Sequence, residues 1–230
     1  MFSIGYLLIA VIDIAVLVWA ARLCLRYRTN GVIFASFPLL LVWFDNVAIG
    51  LGSTLGEGNL LIGMNSMRFV AHYISLPMGF IALGAMAREA GFAWAQPKWV
   101  MALFCIAATG FIVHDLWQFS AATLYPACFA DTLRYTTQIT EATACTPTAD
   151  IGAGKLISPA PAIILTVLVI VFGIYLWIKT GWKWLAVLAI GSMPFFAVPM
   201  DATGGILANV GEPLFVGAIV ATAAHIAKMR

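Results

Sequence analysis

Residues 158–178 read SPAPAIILTVLVIVFGIYLWI, and no charged side chain follows until Lys179. A run this long is too extended for a strand. It matches the roughly 20 apolar residues that an α-helix needs to cross a hydrocarbon core of about 30 Å. Working outward from it, comparable stretches lie at 3–25, 31–52, 67–87, 97–119, 182–200 and 204–227. The chain therefore reads as all-α: a polytopic transmembrane helical bundle of about seven spans, forming a single domain over residues 1–230.

Composition supports this solvent assignment. Hydrophobic residues make up 63% of the 230, charged residues only 10%, and the mean hydropathy is +0.99. Soluble domains carry about 25% charged residues. A chain this apolar cannot cover its surface with polar groups, so lipid is its natural environment.

The basic residues set the expected orientation. Arg22, Arg26, Arg28, Arg88, Lys98, Lys179, Lys183, Lys228 and Arg230 gather on one side of the spans, and only Arg68, Arg134 and Lys155 on the other. The positive-inside rule makes the first side cytoplasmic, with the N-terminus outside and the C-terminus in the cytoplasm. Glu57, Asp131, Glu141, Asp150 and Asp201 then face outward. Arg22, Arg26 and Arg28 follow the first apolar stretch rather than precede it, the order of a retained N-out helix and not of a cleavable signal peptide. The compactness of the chain is the ground for expecting a bacterial inner membrane. A net charge of +2, with no stripe of basic and aromatic residues, speaks against nucleic acid as a partner. Membrane lipid, or homo- or hetero-oligomeric partners within the membrane, are expected instead.

One long connection remains, about 120–157, on the expected outer side. It is rich in Thr, Ala and Pro and holds Cys128 and Cys145. An exported loop lies in an oxidising compartment, so these two are expected to form a disulfide that staples a cap over the outer end of the bundle. Cys24 and Cys105 read as small apolar residues in or beside spans.

Ionisable residues inside spans carry the functional signal, because each costs about 2.5–3.5 kcal/mol at the bilayer centre on insertion scales. Asp45 and His72 each lie about six residues inside the outer end of their spans, about 9 Å deep at 1.5 Å per residue. Arg68 stands one helical turn from His72 on the same face. His114 and Asp115 close the fourth span, Asp201 sits at the turn between the last two, and Glu212 lies two turns into the last. Asn46, Asn65 and Asn209 add neutral groups at similar levels. This shared depth points to a polar pocket in the outer half of the bundle. The competing reading is interhelical glue, with Asp45 and Arg68 as a buried pair. Asp13 suits either glue or a proton path. The connection 52–66, with Gly52, Gly56 and Gly58, can dip toward the membrane and line the site. Pro194, Pro199 and Pro213 can break helices and free carbonyls there.

Three chemistries fit these residue types. In a lipid-facing hydrolase-like enzyme, Asp45, His72 and Glu212 would be catalytic, with Arg68, Asn46 and Asn65 holding the substrate head group. His72, His114 and Asp115 could supply zinc ligands, although no H-x-x-x-H or H-E-x-x-H spacing occurs. In a haem or pigment protein, His72 and His114 would be the cofactor ligands. A non-catalytic transporter, receptor or proton relay would use Asp13, Asp45 and Glu212. Covalent retinal needs a lysine near the middle of the last span, and Lys228 lies at its end. There is no P-loop, no dinucleotide fingerprint and no G-x-S-x-G elbow.

Overall fold

The computed structural model describes residues 2–146, 150–198 and 203–229. Asp201 and Pro199 lie outside them. The elements are α1 (Phe2–Tyr27), α2 (Asn30–Ser36), α3 (Leu39–Leu55), α4 (Asn59–Glu89), α5 (Lys98–Ser120), strands β1 (Tyr125–Phe129) and β2 (Thr132–Thr136), then α6 (Ala160–Thr180), α7 (Trp184–Ala197) and α8 (Ile206–Lys228). Among the described residues, six helical stretches are long and apolar enough to cross a membrane, with α2 and α3 counted together as Asn30–Leu55. That length and composition suit an integral membrane protein. The remaining apolar helix, α7, has 14 residues. At 1.5 Å per residue it rises only about 21 Å, short of a full hydrocarbon core.

Two sequence boundaries change the picture near the site. Helix α3 runs on to Leu55 and α4 starts at Asn59. The connection between them is therefore a tight turn at Gly56–Gly58 and not a segment that dips inward. Gly56 allows it by adopting φ +70° as the C-cap of α3. Asp45 and His72 accordingly lie deeper in their helices than the sequence boundaries imply. Measured along each helix from this turn, Asp45 and Arg68 are both about 15 Å away, so the antiparallel pair sets them opposite one another.

The loop between α5 and α6 adds what an all-α reading omits. β1 and β2 form an antiparallel hairpin with Phe129 opposite Thr132 and Tyr125 opposite Thr136. Its two-residue turn holds Ala130 at φ +54°, a left-handed conformation. Cys128 is disulfide-bonded to Cys145. The backbone of 137–139 is further tied to 153–155, with Lys155 N donating to the Thr137 carbonyl over 2.9 Å.

This hairpin seats directly on the helices. A Cβ on Gly52 would collide with the Leu133 carbonyl, so only glycine lets β2 lie this close to α3. Ser53 Oγ donates to the Asp131 carbonyl over 2.6 Å and accepts from Leu133 N over 2.9 Å. The Phe2 amide donates to the Asp131 carboxylate over 3.0 Å. At the other end of the bundle, packing is apolar and closed: Val32, Met86, Leu176, Leu185, Val220 and Ile226 are fully buried. There Trp182 stacks on His225 with ring centroids 3.8 Å apart, and its Nε1 donates to Thr222 Oγ1 over 3.0 Å.

Candidate functional site

Between the closed core and the hairpin, four helices bring polar side chains together. Arg68 Nε of α4 lies 3.3 Å from Asp45 Oδ1 of α3. Asn209 Nδ2 of α8 donates to Asp45 Oδ2 and to Asn46 Oδ1, each over 3.0 Å. Asn46 Nδ2 donates to Asp13 Oδ2 of α1 over 2.7 Å, and to the Val42 carbonyl over 3.1 Å. The result is a continuous ladder, Arg68–Asp45–Asn209–Asn46–Asp13, that cross-links α1, α3, α4 and α8. Each step is an ion pair or a hydrogen bond between side chains, the kind of contact by which polar groups persist inside a bundle.

A second set of polar groups faces open space. One cavity of about 580 Å³ is bounded by the helices and roofed by the hairpin and the loop that follows it; Asp45, Arg68, His72, Asp115, Glu212 and Arg134 line it. A second, of about 590 Å³, has a mainly apolar wall that includes Leu41, Ile163, Val167, Ile170, Phe196 and Phe215. Asp45, Arg68, His72 and Glu212 line both. Cavities of this size hold small ligands or parts of lipids. His72 is exposed toward this space although it lies well inside α4, and neither it nor Glu212 makes a hydrogen bond with a described residue. Pro77 in α4 and Pro213 in α8 remove the amides that would bond the Tyr73 and Asn209 carbonyls, each four residues earlier and each from a residue lining the cavity under the hairpin.

Arg134, at the centre of β2, was not singled out by its sequence context. It is 5% exposed. Its Nη2 donates to the Gly204 carbonyl over 2.7 Å, to Thr132 Oγ1 over 3.0 Å and to Tyr6 Oη over 3.2 Å, while Tyr6 Oη donates to the same Gly204 carbonyl over 2.6 Å. The guanidinium also lies 4.0 Å from the Phe129 ring centroid. Burial pushes its pKa down; Tyr6 opposes that shift and the neighbouring charge of Arg68 adds to it. Arginine nevertheless stays protonated. Two guanidinium atoms, Arg68 Nη1 and Arg134 Nε, are buried without a hydrogen-bond partner. An unsatisfied buried donor costs about 1–3 kcal/mol, more when charged.

Other residues expected at the site stand elsewhere. Asn65 is fully buried, donates to the Leu61 carbonyl over 2.8 Å and lines neither cavity. Asn46 belongs to the ladder rather than to a cavity wall. His114 has a side chain 57% exposed and turns to Asp115, 2.9 Å away, and to Gln118. It lines neither cavity, so His72 and His114 do not flank a common space for haem. Among the described residues no group of three or more His, Cys, Asp or Glu side chains is close enough to hold a metal ion. The set His72, His114 and Asp115 is thus not assembled, because His114 points away along α5. No protein-family model matches the chain, and no curated protein is similar to it.

Proposed function

We propose that this protein is an integral membrane protein that binds an amphiphile, a lipid or lipid-like molecule, with its head at the wall formed by Asp45, Arg68, His72 and Glu212 and its tail in the apolar cavity. The observation that carries this reading is the sharing of that ionisable wall by one cavity roofed with polar loop residues and another lined by aliphatic and aromatic side chains. A polar solute would have no use for the second cavity, and an alkane none for the first. His72 and Glu212, both unengaged, are the groups available for proton transfer should the bound head be turned over.

The proposed topology has seven passes, with the N-terminus outside. Its support is parity. The start of α1 and Gly204, just before α8, meet at Arg134, so α1 and α8 run the same way from the hairpin end. Lys179 and Lys228 end α6 and α8 away from that end. The chain must then return through α7, which packs on α6 where Gly173 meets the Ala186 backbone.

Native mass spectrometry of protein extracted in mild detergent tests the function. The wild type retains about one amphiphile per chain. Ala208→Trp, which places an indole where both cavities meet, releases it while the protein stays folded. Equal retention by both proteins would refute the reading.

A further inference from the structure

The amphiphile reading leaves the chemistry of the head group open, and the two incompletely bonded guanidinium groups address it. Arg68 spends Nε on Asp45 and leaves Nη1 without an acceptor, although its side chain is only 9% exposed. Arg134 spends Nη2 on three oxygens and leaves Nε without one. One comes from α4 and the other from the hairpin, and both line the cavity under the hairpin.

The acidic groups on the same wall leave these two atoms, Arg68 Nη1 and Arg134 Nε, without an acceptor. Asp45 has one oxygen on Arg68 and the other on Asn209. Asp115 is engaged by His114. Glu212 lines the cavity without bonding to either arginine. We infer that the head group is an anionic oxyacid, a phosphate or a carboxylate, received between Arg68 and Arg134. Oxygens of that kind accept charge-assisted bonds from guanidinium edges, and two arginines on separate elements would clasp the head between span and roof. Glu212 and His72 are left to meet a hydroxyl or amine on the same head. This assignment rests on the reading of the shared wall as an amphiphile site.

Tail-matched probes test it on the full-length protein in nanodiscs of zwitterionic lipid. Dodecyl phosphate, dodecanoate, dodecanol, dodecyltrimethylammonium and inorganic phosphate are each titrated and binding is read by the shift in melting temperature. Dodecyl phosphate and dodecanoate are expected to bind about tenfold or more tightly than dodecanol, the scale of one charge-assisted hydrogen bond. Arg134→Gln removes that preference without weakening dodecanol. Because Arg68→Gln alone strands Asp45, the paired Asp45→Asn/Arg68→Gln variant, which conserves net charge, is the second check, with the same loss expected. Dodecanol binding as tightly as dodecyl phosphate overturns the anionic head but keeps the amphiphile site. Tighter dodecyltrimethylammonium binding also overturns it. No binding by any dodecyl probe removes the amphiphile reading itself. Inorganic phosphate matching dodecyl phosphate keeps the anion clasp and removes the tail.

Discussion

The ladder from Asp13 to Arg68 and the two wall residues outside it, His72 and Glu212, place the same kinds of side chain at the same level of one bundle, yet they are opposite in state. In the ladder, Asn209 and Asn46 thread between carboxylates, and only the end atoms Asp13 Oδ1 and Arg68 Nη1 are buried without a partner among the described residues. On the wall, His72 and Glu212 face cavities and meet no described hydrogen-bonding partner. Polar residues are expensive in both places. In the ladder the protein itself offsets the expense and gains cross-links between four helices. For His72 and Glu212 nothing in the fold does so, which is the mark of groups kept for a ligand.

The comparison breaks most sharply at Asp45. Asp45→Asn leaves Arg68 buried and without a counter-charge, and should lower stability by about 3–5 kcal/mol. Denaturation in detergent micelles measures this, and a loss under about 1 kcal/mol would remove Asp45 from the cross-linking ladder. Reducing the Cys128–Cys145 bond should cost about 3 kcal/mol on the chain-entropy model. That cost should appear in the loop first, as amide exchange rising in β1 and β2 ahead of α4 and α8. His72→Ala and Glu212→Gln remove groups that the fold leaves without partners, so stability should be unchanged or slightly raised, while ligand retention falls. Ala130→Gly acts on the hairpin alone. It relieves a left-handed alanine and should stabilise the hairpin by up to about 1 kcal/mol, read as a small rise in melting temperature.

Hydrophobic run length made the helices legible, because a 20-residue apolar stretch has few alternatives in lipid. Shared depth made Asp45, Arg68, His72, Asp115 and Glu212 legible as neighbours. Depth gives a level along a helix but not a bearing around it, and so Asn65 and His114 were placed with the others when one points into its own helix and the other outward. Arg134 escaped because a short hairpin in a Thr-rich loop leaves little periodic signal. The two runs 125–129 and 132–136, rich in β-branched and aromatic residues and separated by two residues, were the available cue. The Gly56–Gly58 turn was similarly hidden, since polar residues in the first turns of α4 resemble a loop when read one at a time.

An experimental structure in lipid nanodiscs tests the central claim most directly. The account predicts elongated density with its head between Arg68 and Arg134 and its tail along Ile163, Val167 and Phe215. Side chains from α4 and α8 packed together at that place, with no space left between His72 and Glu212, would contradict it.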